Sequence, residues 1–423
     1  MTGTMLDSLF HLPGALLLLQ LGTILLSTSA CGWLLARLGQ PRVVGEIAGG
    51  LLLGPIAFGH LFPATIALLF PPSQLQPLEI VSNIGLVLFL FVIGAELDLA
   101  AIAKNRGTTF AITVSSIALP FALGAAISPL LFSRFGLPGV SPSSFLIFVG
   151  ISMSITALPV LARIIQDRRR ASHPIDSTIA AHALISAAAN DVLAWSFLAI
   201  ALTLLHGNQG VEATVVRLFT LAVYIGVMLF LVRPLTQYLA IHYPASTPWL
   251  WIPALVALAF LSAHITDVLG IHAFFGAFLA GICVPRLPLK TTTLPHALDR
   301  SLQPIIHLTL PVFFAMTGLH MHRNIFDRNG LGWLAVILLV AVTGKIGGAV
   351  LAARLGGMTW ATSSRIGILL NTRGLVELIV LNIGYKEGIL SPLLFTLFVL
   401  MAIITTAMTV PLLIVTERNS PIK

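Results

Sequence analysis

Apolar residues run along this chain in long blocks, and polar residues fall between the blocks instead of alternating within them. A helix that crosses a bilayer needs about 20 consecutive apolar residues. Cutting the chain at its polar, proline and glycine clusters predicts thirteen such segments. They lie at about 14–36, 43–60, 78–99, 108–133, 143–163, 177–205, 214–232, 247–265, 271–285, 302–320, 331–353, 362–385 and 391–415. The ninth is short, as a tilted or partly spanning segment would be. The expected fold class is an all-α polytopic membrane protein with about 13 transmembrane helices.

Composition agrees. Of 423 residues, 57% are hydrophobic and only 9% charged, where a soluble domain carries about 25% charged residues. The net charge of +8 raises the question of a nucleic-acid partner, and its placement answers it. Arg134, Arg217, Arg323, Arg328 and Lys386 follow even-numbered spans. Every other lysine and arginine follows an odd-numbered span, except Lys345 and Arg373, which lie inside spans. That asymmetry is membrane topology: it places the N-terminus outside and the C-terminus in the cytoplasm, with no nucleic acid implied. The opening "MTGTMLDSLFHLPG" has no positive n-region, so the first span reads as retained. Cys31 and Cys283 sit in apolar runs and make no redox or metal pattern. There is no Walker A motif, no soluble nucleotide-binding domain and no Ser–His–Asp grouping. His320 and His322 belong to a polar span end. No cofactor is expected.

An internal repeat is visible. "GGLLLG" at 49–54 resembles "GAFLAG" at 276–281, and "FLFVIGAELD" at 89–98 resembles "FFAMTGLHMH" at 313–322. By the span count the copies lie seven spans apart. An odd offset reverses orientation in the membrane, the mark of the inverted repeats common in secondary transporters.

Charges deep inside spans cost about 3 kcal/mol or more each, and the chain has few. They are Asp191 in span six, Lys345 in span eleven, and Arg373 with Glu377 in span twelve. Glu46, Glu79, Glu96, Asp98 and Asp267 lie near span ends, within reach of the interface. Asp191 is the deepest acid. Burial favours a protonated carboxyl and a nearby cation favours an ionised one, which suits a site that alternates between a proton and a metal cation. The competing reading is a structural acid locked to Lys345. Lys345 stands among Gly344, Gly347 and Gly348, residues that let another backbone come close. It is expected to act as counter-charge to Asp191, as a second proton carrier or as a strut.

Two spans carry signs of a break. "SMSITALPVLARI" (152–164) places Ser152, Ser154 and Thr156 before Pro159, whose missing N–H frees the carbonyl of residue 155. "NTRGLVELIV" (371–380) sets Arg373 and Glu377 four apart on one face, behind Asn371, Thr372 and Gly374, poor formers of membrane helix. Broken helices expose half-helix ends and carbonyls that coordinate ions. Interruptions in spans five and twelve are placed to face one another at mid-depth. On this reading Asp191, Asn190, Thr156 and Ser154 form the ion and proton site, Asp191 being the ligand of Na⁺ or K⁺. Lys345 is its counter-charge, and Arg373–Glu377 is a core ion pair.

Taken together, "QPRVVGEIAGGLLLGP" (40–55), "LFLFVIGAELD", "GIHAFFGAFLAGICVP", "FFAMTGL", "AAANDVLAW" and "NTRGLVELIVLNIG" resemble segments of the second family of monovalent cation/proton antiporters. That group includes Kef-type potassium systems and plant cation/proton exchangers. The likeness runs from about residue 20 to 415, and the last two segments look closest to the plant-exchanger branch. It implies thirteen helices, an inverted repeat with crossed broken helices at spans five and twelve, and a homodimer. It also implies a mobile core of about 108–205 and 331–415, a dimerisation scaffold of about 14–99 and 247–320, and a linker helix at 214–232. Asp191 matches the family's ion- and proton-binding acid. Asn190 stands where some relatives have a second aspartate, and Lys345 matches the lysine that pairs with it there. One acid favours electroneutral exchange, whereas a titrating Lys345 would make the cycle electrogenic. The chain ends eight residues after Val415, so the family's cytoplasmic regulatory domain is not expected.

The function this predicts is antiport of Na⁺ or K⁺ against H⁺ in a lipid bilayer, with a bacterial inner membrane as the expected location. One alternative is a channel-like potassium efflux protein of the same family. The other is an intramembrane enzyme, which would need a second catalytic group facing Asp191; no second aspartate lies in a comparable span.

Overall fold

The computed structural model describes residues 13–97, 107–170, 175–205, 211–242, 248–270, 272–286, 293–322 and 328–419. The stretch up to residue 12, Asp98 and Arg323 lie outside the described residues. Among the described residues, regular structure is helical. In chain order the helices are α1 (Pro13–Arg37), α2 (Arg42–Leu52), α3 (Phe58–Leu61), α4 (Pro63–Leu69), α5 (Gln76–Glu96), α6 (Thr108–Phe135), α7 (Pro142–Ser154), α8 (Leu158–Arg170) and α9 (Ser177–Leu205). They continue with α10 (Val211–Val227), α11 (Arg233–His242), α12 (Pro248–Val268), α13 (Ala273–Ile282), α14 (Leu294–Leu319), α15 (Arg328–Leu355), α16 (Trp360–Leu370), α17 (Leu375–Lys386) and α18 (Pro392–Asn419).

Among the described residues, ten helices are long and apolar enough to cross a membrane, or eleven if the bent pair α16–α17 is one span. The segments that fall short are the second and ninth of the thirteen. There the regular helices, α2 and α13, are only 11 and 10 residues long. Both carry the glycine-rich copies of the repeat. Span seven differs too. Its helix does not stop near 232 but passes through a π-turn at Met228–Val232 and continues as α11. The Arg233–Pro234 pair, which reads as a stop, lies inside that helix because the wider turn absorbs the missing N–H of the proline.

The chain divides into two compact units, Met1–Pro71 with Leu99–Leu198 and Phe314–Lys423, and Pro72–Asp98 with Ala199–Phe313. In the first, glycines let backbones touch. A Cβ on Gly45 would lie 2.5 Å from Cys31 O, and one on Gly49 2.7 Å from Ser27 O, so α2 lies directly on α1. The repeat motifs meet in both units. In the first unit Gly54 abuts the Gly318 carbonyl, and in the second Gly281 abuts Phe91 O and Gly94 Cα. Gly54 corresponds to Gly281 and Gly94 to Gly318. The pairing is therefore reciprocal, each time joining a first copy of one motif to a second copy of the other.

The core of the first unit gathers Ile112 of α6, Leu161 of α8, Ile179 and Ala183 of α9, Ala349 of α15, Ile366 of α16 and Leu413 of α18. The two interrupted spans enter it alike. α7 starts at Ser141, whose hydroxyl accepts from Ser144 N at 3.1 Å. α16 starts at Thr359, whose hydroxyl accepts from Thr362 N at 3.2 Å. Each hydroxyl satisfies an otherwise orphaned N–H of the first turn. The second halves, α8 and α17, follow after short non-helical stretches at 155–157 and 371–374.

Candidate functional site

The break after α7 leaves the last carbonyls of that helix without their helical donors. Cations from two other spans take them, Arg373 from the second break and Lys345 from α15. Arg373 Nη1 donates to Ser152 O at 2.8 Å and Nη2 to Met153 O at 2.6 Å. Lys345 Nζ donates to Ser154 O and, at 3.0 Å, to Ser116 O of α6. The two fully buried cations among the described residues thus sit at the negative end of α7, where a helix dipole favours them. Ser154 Oγ donates to Ile151 O at 2.8 Å.

The second break is hydrogen-bonded to the first. Ala157 N donates to Thr372 O at 3.1 Å, and Thr156 Oγ1 donates to Leu370 O at 3.0 Å. Gly374 allows this approach, since a Cβ there would lie 2.6 Å from Val160 Cγ2. The interruptions predicted in spans five and twelve therefore do meet. Glu377 lies in the first turn of α17, the positive end of that helix, and its Oε1 accepts from Arg373 Nη1 at 2.9 Å. Its Oε2 has no hydrogen-bond partner.

α9 brings Asn190 and Asp191 to the same place. Asn190 fills the first break from both sides: Oδ1 accepts from Thr156 N at 3.2 Å and Nδ2 donates to Ser154 O at 3.1 Å. Nδ2 also lies 3.4 Å from Thr156 Oγ1. Asp191, beside it, is fully buried. The N–H of Leu158, at the start of α8, faces its carboxylate, but neither carboxylate oxygen has a partner in hydrogen-bonding geometry. A buried, unsatisfied carboxylate is costly and open to a ligand.

Asp191, Asn190, Thr156, Ser154, Lys345, Arg373 and Glu377 are thus gathered around the two breaks. One relationship differs from the simplest reading of the charges. Lys345 makes no ion pair with Asp191; it reaches the site through the Ser154 carbonyl, which Asn190 also uses. In this state Asn190, Thr156 and Ser154 spend their polar atoms on the breaks, and Asp191 holds the free oxygens.

The sequence reading missed the hydroxyl face of α18. Thr406 Oγ1 bridges the N–H and C=O of Arg373 at 2.9 and 2.8 Å. The carbonyl of Thr405 lies 3.4 Å from Asn371 Nδ2, and Thr409 Oγ1 lies 3.4 Å from Thr372 Oγ1. The available signal was "TTAMT" at 405–409, hydroxyls at i, i+1 and i+4 in an otherwise apolar run. Such hydroxyls ordinarily bond only their own backbone. Here Thr405 and Thr406 do that as well.

Comparison with known proteins identifies the family. The profile of the transmembrane sodium/hydrogen exchanger family matches residues 24–415. Cation/H(+) antiporter 17 of Arabidopsis thaliana is 37% identical over 404 residues, which are 94% of this chain and 48% of that protein. The chain spans about half the length of the plant relatives it matches. The Na(+)/H(+) antiporter NhaS4 of Synechocystis is 34% identical over 391 residues, 90% of this chain and 92% of that one. Among solved structures, the sodium proton antiporter MjNhaP1 of Methanocaldococcus jannaschii shares the fold with a TM-score of 0.64, 15% identity and coverage of 96% and 97%. The chain is an integral membrane protein and belongs to the sodium/hydrogen exchanger family.

Proposed function

We propose that the protein exchanges a monovalent cation, Na⁺ or K⁺, for H⁺ by alternating access, with Asp191 binding the cation and the proton in competition. One observation carries this reading. A buried carboxylate with both oxygens unpartnered lies beside two interrupted membrane helices that hydrogen-bond to each other at their breaks. The buried cations around it are engaged by backbone carbonyls, so they do not fill the carboxylate. A protonated or cation-loaded Asp191 lets the surrounding helices move, whereas a bare one would carry an unpaired charge through a low dielectric. The family is one of transporters, and relatives named as cation/H⁺ and Na⁺/H⁺ antiporters support the same reading.

Several finer points are part of the proposal. Asn190, Thr156 and Ser154 complete the site around Asp191, Lys345 supplies counter-charge within it, and Arg373–Glu377 holds its frame. The charge asymmetry supports an N-terminus outside and a cytoplasmic C-terminus. The reciprocal glycine contacts support an inverted repeat, with α2 and α13 as the two short members of thirteen spans. A homodimer, and a mobile core distinct from a dimerisation scaffold, complete the arrangement. The location proposed with it is a bacterial inner membrane.

The test is proton flux in vesicles holding the purified protein and a pH-sensitive dye, with Li⁺, Na⁺, K⁺ and Rb⁺ added in turn at set membrane potentials. Cation-driven proton movement is expected for Na⁺ or K⁺, and the potential dependence gives the stoichiometry. Cation flux without coupled proton movement would replace the antiporter with a channel.

A further inference from the structure

A proline in the middle of α6 is tied to Lys345. In a continuous helix the carbonyl of Ser116 accepts the N–H of residue 120. Residue 120 is Pro120, which has no N–H, and it is buried inside the helix. An unpaired carbonyl in a membrane interior is costly. The donor that satisfies this one is the Lys345 ammonium, 3.0 Å away. Its second acceptor, Ser154 O, has lost its helical donor for a different reason, the break after α7. One ammonium therefore replaces two missing helical bonds in two spans.

The packing around it fits this role. Gly344, the neighbour of Lys345, lies against the same proline: a Cβ there would be 2.8 Å from Pro120 Cα. One turn on, a Cβ on Gly348 would be 2.5 Å from Ser115 O, and Ser115 Oγ donates to Gly348 O at 2.8 Å. The glycines bring α15 onto α6 at the level where the proline has opened the carbonyl.

We propose that Pro120 is a positioning residue of the exchange site: by opening the Ser116 carbonyl it seats the Lys345 ammonium on backbone and keeps it off Asp191. This rests on the functional reading given above. The buried carboxylate then keeps both oxygens for the transported cation. An N–H at position 120 would draw the Ser116 carbonyl back into the helix. Lys345 would be left with Ser154 O alone and with hydrogens to spare. Of the two deep acids, Glu377 is already held by Arg373, whereas both Asp191 oxygens lack a hydrogen-bond partner, so the ammonium would compete at Asp191 with the cargo.

The experiment compares apparent KM and kcat for Na⁺ and K⁺ in proteoliposomes. The variants are Pro120→Ala, Pro120→Gly, Pro129→Ala, Lys345→Met and the double variant Pro120→Ala with Lys345→Met. Alanine and glycine both restore the N–H, and Pro129→Ala does so in the same helix away from the ammonium. Pro120→Ala and Pro120→Gly are expected to raise KM about tenfold, the scale of one hydrogen bond to a charged group, with a smaller change in kcat. Pro129→Ala is expected to leave KM within about twofold of the wild type, well below that scale. With methionine at 345, adding Pro120→Ala is expected to change nothing further, because the residue through which it acts is gone. Unchanged KM in both folded Pro120 variants would overturn the proposal. So would a full rise that persists in the Lys345→Met background. A wild-type protein that exchanges no cation for protons would overturn the functional reading itself, an outcome separate from either.

Discussion

Asn190 and Lys345 donate to the same acceptor, the carbonyl oxygen of Ser154. A neutral amide and a buried ammonium thus hold one end of the first helix break between them. The amide also takes the N–H of Thr156 across the break. Asn190→Ala removes both contacts and leaves a buried backbone N–H unpaired, at a cost of about 1–3 kcal/mol. Asn190→Asp keeps the acceptor for Thr156 N–H and places a carboxylate near the Lys345 ammonium, so it should lose less. Thermal unfolding of both variants in detergent checks the order. Equal losses would mean that the Thr156 contact contributes little.

Asp191 calls for a different expectation. Its carboxylate is fully buried and neither oxygen is paired, so it is a burden on the folded state unless a ligand or a proton relieves it. Asp191→Asn removes that burden with little change of shape. It is expected to melt at the same temperature as the wild type or higher, and to show no cation-driven proton flux. A variant that is destabilised would instead mark Asp191 as a structural acid. Full exchange by the folded variant would remove it from the mechanism.

Much of this site was legible before the fold. Pro159 and the "NTR" triplet break helices for local reasons, the missing N–H and the weak helix formers, and local reasons can be read from a sequence. The four deep charges were legible because a bilayer makes them conspicuous. Who pairs with whom was not. Charge alone sends Lys345 to Asp191, yet the ammonium goes to two carbonyls, one of them opened by a proline in another span. Arg373 was seen as the partner of Glu377, but it also takes Ser152 O and Met153 O, residues more than 200 positions away. Such pairings depend on which helices lie side by side. In the same way, span two looked long enough by hydropathy, while span nine already read as short. Their regular helices are short, and their glycines are used up in backbone contacts with other helices.

Arg373 and Glu377 form a buried pair, but their removals should not be equivalent. Arg373 satisfies three acceptors, Ser152 O, Met153 O and Glu377 Oε1. Arg373→Met leaves all three uncompensated, with a bare carboxylate among them, and is expected to cost about 3–5 kcal/mol. Glu377→Gln keeps an oxygen for Arg373, whose charge still rests on the α7 carbonyls, and is expected to cost roughly half as much or less. Yield of monodisperse protein and melting temperature in detergent test the asymmetry. Equal damage from the two substitutions would mean that the carbonyl contacts of Arg373 are incidental.

The last prediction concerns Thr406, on a helix that carries no charge deep in the membrane. Its hydroxyl meets both the N–H and the C=O of Arg373, the backbone groups released where α16 stops and α17 has not yet begun. Those two bonds stand in for helical bonds that the break forfeits, and they fix the peptide from which the Arg373 side chain reaches α7. Thr406→Val keeps the shape and deletes the hydroxyl. It should leave a buried N–H unpaired, cost about 1–3 kcal/mol, and slow exchange through a loosened Arg373. Thr406→Ser keeps the hydroxyl and loses only a methyl group, so it should restore most of the exchange rate. Thr362→Val supplies a comparison, because that hydroxyl pairs with Thr359 at an exposed helix start. If valine at 406 behaves like valine at 362, and serine brings no recovery, then the second break is held by packing and not by the threonine of α18.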